Sequence, residues 1–334
     1  MKEKRLKVLF IAGSYPPALC GIGDYTALLV RELSARISAH VLTSSFYNTK
    51  EDKSRIKVYP VVGAWKIKNL KKIMGTVSGI RPDIVHIQYP SAAYKKNLLF
   101  NFLPLIIKIS NPRVKVISTF HEPVHRLGIT GQLRMIPNML FSDGCIFIEE
   151  EGYKKLPLLN KAAAAAKKRA FIPAGSNIPK AAYDPEYRRK IMKRAGIGPK
   201  KKLLITFGFI NRIKNYETLF NAYDKSQFSW IHIGSIDPNN VYQAGFLRSA
   251  LKAGEKIFFT GYLSAKETAK LLACADVSVF PFSDGVTDRH ATFMAALNQP
   301  AYIAASHADK RGYDKSSNVY YLSLIHISEP TRPY

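Results

Sequence analysis

Short apolar runs rich in β-formers, each followed by a helical pattern, recur along almost the whole chain, and this alternation limits the fold more than any other feature. The first set is KVLFIAG (7–13), AHVLTS (39–44), KVYPVV (57–62), DIVHIQ (83–88), KVISTF (115–120), GCIFIE (144–149) and RAFIPAG (169–175). A strand that is apolar throughout needs cover on both faces, and parallel strands need crossovers long enough to hold a helix. The pattern therefore predicts a parallel sheet between two helical layers. GDYTALLVRELSARI (23–37) has the expected amphipathic form, with Asp24 in its first turn. LLNKAAAAAKKRA (158–170) is a strong helix former and reads as a solvated helix with a basic end.

The alternation then lapses. AGSNIPKAAYDPEYRRKIMKRAGIGPKK (174–201) is rich in Pro, Gly and charge and lacks strand signals. It resumes with KLLITFGF (202–209), WIHIGS (230–235), KIFFTGY (256–262), DVSVFPF (276–282) and AYIAAS (301–306). The expectation is α/β, with two doubly wound, Rossmann-like domains facing each other across a cleft. They cover 1–175 and 202–321 and are joined by a linker at 176–201. Ligands of such sheets bind beyond the carboxyl ends of the strands, so the loops just after the strands are the places to search.

The length of 334 residues suits two domains, and 47% hydrophobic residues exclude global disorder. The formal net charge of +26 predicts attraction to an anionic partner. Cys20, Cys145 and Cys274 are scattered and have no metal-ligand spacing, which suits a reducing compartment better than a disulfide framework. The start, MKEKRLKVLFIAG, turns at once into SYPP and reads as a buried strand, not a leader. NLLFNFLPLIIKIS (97–110) is too short to cross a membrane and reads as a core helix. A cytoplasmic protein, soluble or peripheral at the inner face of the membrane, is expected.

The stretch LSLIHISEPTR (322–332) resembles the translation of a sequencing-library adapter throughout its length. Residues 322–334 are accordingly expected to be non-native, with the native chain running to about Tyr321 and the second domain incomplete.

In SYPPALCGIGDYTALL (14–29), Gly21 and Gly23 stand between a strand end and a helix start. Glycines there let backbone N–H groups approach a phosphate or a sugar oxygen. A tight turn is the alternative, and Thr26 at the third glycine position makes the motif a weak dinucleotide fingerprint. These residues, together with RPDIVHIQYP (81–90), STFHEP (118–123), FIPAGSNIP (171–179), TFGFINRIKNYETLFNAY (206–223) and IFFTGYLSAKETAKLLACADVSVFPF (257–282), resemble in order the motifs of family-4 retaining glycosyltransferases of the GT-B fold.

The resemblance implies transfer of a hexose from a nucleoside-diphosphate sugar to a saccharide or lipid-linked acceptor, with retention of configuration. It implies no cofactor and a setting in cell-envelope polysaccharide biosynthesis; no metal is expected either, since the sequence has no clustered Asp/His ligand set. It makes His121 the histidine that bonds the donor sugar near the reacting carbon, and Lys214 the cation that neutralises the leaving diphosphate. Gly234 and Ser235 correspond to the loop beneath the nucleotide, and Tyr262 and Leu263 to the edge for the base. The family's arginine after Gly208 is Phe209 here, and Arg212 is a nearby substitute. His86 carries a structural or a functional reading, and Glu122 either orients His121 or faces solvent.

FPFSDGVTDRHATFMAALNQPAY (280–302) lacks the family's paired glutamates, whose places fall on Gly285 and Phe293 or on Thr287 and Ala295. It resembles a variant subgroup through Asp284, Gly285, Arg289 and Thr292. In that pattern the Gly285 loop and the helix starting near Thr292 hold phosphate by backbone N–H groups and the threonine hydroxyl. The glycine expected before the final proline is Gln299. Two alternatives stand beside the transferase: a non-catalytic glycosyltransferase-like binding protein, and another GT-B enzyme such as a sugar epimerase. WKIKNLKKIMGTVSGI (65–80) spaces Trp65, Ile67, Leu70, Ile73 and Met74 on one helical side among lysines. It reads as a sheet-covering helix or as a contact for an anionic membrane. No recognised nucleic-acid motif accompanies the charge, so no nucleic-acid partner is expected.

Overall fold

The structure is a computed structural model that describes residues 5–18, 20–45, 56–89, 94, 97–122, 124, 127–165, 167–220 and 222–323. It divides into two compact units between Ala174 and Gly175.

The first unit alternates as its pattern requires. Its strands are β1 (Lys7–Ile11), β2 (Ser38–Ser44), β3 (Ile56–Val62), β4 (Ile84–Tyr89), β5 (Lys115–Phe120), β6 (Gly144–Phe147) and β7 (Lys168–Phe171). Its helices are α1 (Gly21–Leu33), α2 (Leu70–Ile80), α3 (Leu103–Ser110), α4 (Ile129–Phe141), α5 (Glu150–Lys154) and α6 (Leu158–Ala165). The strands form one parallel sheet in the order β3-β2-β1-β4-β5-β6-β7. β1 shows why its apolar run has no polar alternation. Leu9 and Ile11 enter a core with Ile73, Val77 and Ile80 of α2, while Val8 and Phe10 enter another with Val30 of α1.

The expected stripe on 65–80 is different in the structure. Trp65 precedes the helix, is buried, and donates from its indole N–H to Ser44 Oγ at 2.7 Å. Ile67 is 75% exposed. The buried face of α2 is Ile73, Val77 and Ile80, at helical spacing, and Lys68, Lys71 and Lys72 stay in water. The helix covers the sheet, so its apolar side is not offered to lipid. Residues 97–110 are helical in two pieces, a 3-10 turn at Leu98–Asn101 and then α3, where Pro104 stands in the first turn and no N–H is needed. The alanine-rich α6 is not simply solvated: Asn160, Ala163 and Ala164 are buried, and the Asn160 amide donates to Gln132 O at 2.8 Å.

The second unit repeats the scheme with β8 (Lys202–Phe207), β9 (Phe228–Ile233), β10 (Ile257–Phe259), β11 (Val277–Phe280), β12 (Tyr302–His307), β13 (Gly312–Asp314) and β14 (Val319–Ser323). Its helices are α7 (Pro185–Arg194), α8 (Val241–Lys252), α9 (Ala265–Ala273) and α10 (Ala291–Leu297). The order is β10-β9-β8-β11-β12-β14-β13, parallel except for β13 against β14. The stretch expected as a linker, 176–201, is packed into this unit. Asp184 caps α7 by accepting from the Glu186 and Tyr187 N–H groups, and Pro185 takes the first helical position. Ile178, Ile191 and Met192 join the core of Leu203, Ile205 and Ile231. Arg188 reaches Asp276 at 2.7 Å and Cys274 O at 2.5 Å.

β13 and β14 were not expected. β14 takes in Leu322 and Ser323, which pair with Ser306 and His307, so the first two residues of the adapter-like stretch complete a strand. Residues 324–334 lie outside the described residues. Among the described residues no helix is long and apolar enough to cross a membrane.

Candidate functional site

Each sheet reverses its direction of winding once, between β1 and β4 in the first unit and between β8 and β11 in the second. Crossovers leave such a pair on opposite sides, so the loops at their carboxyl ends part and leave room for a ligand. Gly21 and Gly23 follow β1, Arg212 and Lys214 follow β8, and Asp284, Gly285, Arg289 and Thr292 follow β11, whereas His121, Gly234, Ser235, Tyr262 and Leu263 follow neighbouring strands.

In the second unit the loop after β8 carries Gly208 and the turn Arg212–Lys214, and the loop after β11 leads to α10. The loops are joined by the Ser283 N–H, which donates to Ile213 O at 2.9 Å. Asn211 caps the turn by accepting from the Lys214 N–H at 3.1 Å. Lys214 Nζ then donates to Thr292 Oγ1 at 2.6 Å and lies 4.0 Å from the centroid of the Phe282 ring. Desolvation pulls this amine down from its ordinary 10.5 to about 7, against the pull of the Asp284 carboxylate. Gly208 is the floor of the group. Its φ is +112°, and a Cβ there would stand 2.8 Å from Thr292 Cγ2 and 3.6 Å from Lys214 Nζ. Only glycine fits, both for the backbone and for the space.

Asp284 and Arg289 pair at 3.0 Å and close their own loop. Gly285, with φ +77°, packs where a Cβ would meet Ala308 N at 2.9 Å. Its N–H donates to Phe282 O, the Val286 N–H to Ser306 O, and the Thr287 N–H to His290 Nδ1. These three N–H groups hold the turn together. Thr292 retains its hydroxyl at the start of α10. Arg212 is exposed and lies over the Tyr242 ring at 6.0 Å. Ser235 is exposed, and Tyr262 is 71% exposed, while Leu263 packs into the core of Ile178 and Leu203. Gly234 has φ +148°, and a Cβ there would stand 2.9 Å from Gly208 O.

His232 was not singled out by the sequence. It is 1% exposed on β9, with Nδ1 2.8 Å from Thr206 Oγ1 and Nε2 2.9 Å from Gly208 O. Trp230 Nε1 donates to the same Thr206 oxygen at 2.8 Å. Burial pulls the imidazole down to about 4, although the Gly208 bond favours the proton; the Lys214 charge lowers it further. A histidine ending an apolar strand was the available signal, since a neutral core side chain at that position would need no partners.

In the first unit Gly21 opens α1, and Cys20 before it makes no side-chain cap. The surroundings of Gly21 are open, whereas a Cβ on Gly23 would stand 3.1 Å from Ser14 O. Gly23 therefore serves the close approach of helix and loop. His121 follows β5. Its N–H donates to Tyr89 O at 2.9 Å, and its ring meets Tyr25 of α1 edge-on at 5.0 Å. Its Nε2 is 2.7 Å from Gln88 Oε1. A carbonyl oxygen only accepts, so Nε2 carries the proton and Nδ1 keeps its lone pair. Burial, with His86 nearby, holds the ring neutral, down to about 3. Gln88, fully buried at the end of β4, was missed as the partner that sets this tautomer. His86 is a core side chain, 2.7 Å from Thr119 Oγ1 and against the Phe10 ring. Glu122 is exposed. Among the described residues no three His, Cys, Asp or Glu side chains gather as a metal site would need.

Comparison with solved structures gives this architecture a counterpart. A sucrose-phosphate synthase from Thermosynechococcus elongatus matches over 90% of this chain and 81% of its own, at 15% identity and a TM-score of 0.69. HepE of Anabaena, in complex with UDP-glucose, matches over 95% and 85%, at 14% identity and a TM-score of 0.69. A glycosyltransferase from Rickettsia africae matches over 96% and 84%, at 15% identity and a TM-score of 0.67. The chain has the GT-B glycosyltransferase fold. No protein-family model and no curated protein matches it. Within this GT-B chain the places of the missing glutamates are structurally filled: Phe293 and Ala295 are buried on α10, and Gly285 is pressed against Ala308. A carboxylate at Phe293 or Ala295 would be buried in the core rather than beside a ligand.

Proposed function

We propose that the protein is a retaining glycosyltransferase that moves a hexose from a nucleoside-diphosphate sugar to a saccharide or lipid-linked acceptor. The observation that carries this reading is the meeting of Lys214 and Thr292 over Gly208, at the reversal point of the second sheet. The resemblance of motifs to family 4 supports it, as does HepE, whose solved complex holds UDP-glucose.

Bond cleavage at the anomeric carbon leaves a diphosphate, and its charge must be met as it develops. Lys214 meets it with a point charge, and the Thr292 hydroxyl adds a donor. An amine lying near 7 without ligand takes up a proton when an anion arrives, so its charge is supplied with the substrate. His121, in the first unit, stays neutral and keeps Nδ1 as a hydrogen-bond acceptor. The leaving phosphate accepts the acceptor's proton on the face from which it departs, and configuration is retained without a protein carboxylate. The reading asks for no cofactor and no metal. Asp284 and Arg289 shape the loop, and Tyr262 is the exposed side chain available to a base.

Calorimetric titration with UDP and GDP, followed by a donor-hydrolysis assay, tests this. One nucleotide should bind, and turnover should fall by about 100-fold or more in Lys214→Ala. A protein that binds neither nucleotide is not a transferase of this kind.

A further inference from the structure

His232 is a buried titratable side chain that the proposed chemistry leaves unused. Its bonding is fixed by what its neighbours can do. Gly208 O is a carbonyl and only accepts, so His232 Nε2 carries the hydrogen of the 2.9 Å bond. Nδ1 is then an acceptor, and the Thr206 hydroxyl must donate to it across 2.8 Å. The threonine oxygen receives the Trp230 indole N–H at 2.8 Å. The four groups form one directed chain, Trp230 to Thr206 to His232 to the Gly208 carbonyl. Its end is enclosed, since a Cβ on Gly234 would stand 2.9 Å from Gly208 O and 3.0 Å from His232 Nε2. The carbonyl one residue earlier, Phe207 O, is held by the Tyr216 hydroxyl at 2.9 Å.

Two successive carbonyls are thus bound to buried side chains where the strand ends. A trans peptide points its N–H opposite to its C=O. With Gly208 O turned to His232, the Phe209 N–H is turned away from it. No described group accepts from the Phe209, Ile210 or Asn211 N–H. The same glycine underlies Lys214 and Thr292.

We propose that His232 is a positioning residue: held as the Nε2–H tautomer, it fixes the Gly208–Phe209 peptide so that the Phe209 N–H, with Lys214 and Thr292, is a donor to a bound diphosphate. This rests on the reading that a nucleoside diphosphate occupies the second unit above Gly208. Thr206 and Trp230 set the tautomer, and His232 touches the ligand only through the glycine peptide.

The test uses the full chain, with UDP and inorganic pyrophosphate as probes. Nitrogen NMR of ¹⁵N-histidine-labelled protein reads the tautomer without ligand, and a His232 protonated on Nδ1 overturns the proposal. Titration then compares the wild type with His232→Leu and His232→Gln. The glutamine can donate to Gly208 O and accept from Thr206, whereas the leucine fills the space alone. The expected result is affinity for both probes lowered roughly tenfold or more in the leucine variant and restored to within about threefold in the glutamine variant. A folded leucine variant that binds both probes as the wild type does overturns the positioning role and leaves the transferase reading standing. If the leucine variant does not fold, a glutamine variant with unchanged stability and lost affinity also overturns it. A wild type that binds neither probe overturns the transferase reading, and this inference with it.

Discussion

Lys214 gives the clearest residue-scale test, because its environment opposes its charge. Desolvation by burial brings the amine to about 7 in the folded chain, against an ordinary 10.5. Between those values the unfolded chain holds a proton that the folded chain has released, so stability rises with pH through that window. Below about 7 both states are protonated and the penalty of the buried charge is fully present. Lys214→Met keeps the stem against the ring and removes the charge. Its unfolding midpoint should therefore equal or exceed that of the wild type at pH 7, and the wild type should close the gap by pH 9. A parallel pair of melting curves across pH 7 to 9 checks this; a constant gap would place the amine's titration outside the window. Gly208→Ala tests the floor of the site. The methyl group meets Thr292 Cγ2 at 2.8 Å on a backbone with φ +112°, and the expected loss is about 1–3 kcal/mol by denaturant titration, with weaker nucleotide binding.

At the scale of elements, the sequence was legible where local pattern decides and opaque where distant residues meet. The strand runs in 7–306 were all visible, because a sheet covered on both faces writes its burial into consecutive residues. β13 was not visible, since three residues of GYD carry no period, and β14 begins where an asparagine at positive φ, Asn318, follows a polar turn. The stretch 176–201 looked like a linker because Pro and Gly usually break structure. Here Pro185 starts a helix, and the cohesion comes from residues that composition does not reveal. Gln299 is one of them. It is buried, accepts from the Ala181 N–H at 3.0 Å, and donates to Pro179 O at 2.9 Å. The residue standing where the family pattern has glycine thus ties the 179–181 segment to the end of α10. Gln299→Ala should cost about 1–3 kcal/mol by leaving those backbone groups without partners. Asp184→Ala, which removes the cap of α7, should cost about 0.5–2 kcal/mol. Thermal denaturation measures both. Lys214 and Thr292 were each legible, but their bond, 78 positions apart, depends on β8 and β11 being neighbours. The link from His232 to Gly208 depends likewise on the pairing of β8 with β9.

The molecule as a whole is two separately cored units in one chain, with the boundary at Ala174. Each sheet is sandwiched by its own helices, so each unit has the means to melt on its own. Scanning calorimetry should show a van't Hoff enthalpy smaller than the calorimetric one; a ratio of unity would mean that the units unfold together. The net charge of +26 acts on both, and added salt should raise both transitions by screening like charges. The chain also carries two tryptophans, Trp65 in the core of the first unit and Trp230 in that of the second, 4% and 1% exposed. Each unit therefore contains a single tryptophan, which can be excited apart from the tyrosines and whose emission shifts to the red when its core admits water. Replacing either one with phenylalanine leaves a chain in which the colour of the remaining indole reports which half has opened, with no dye attached.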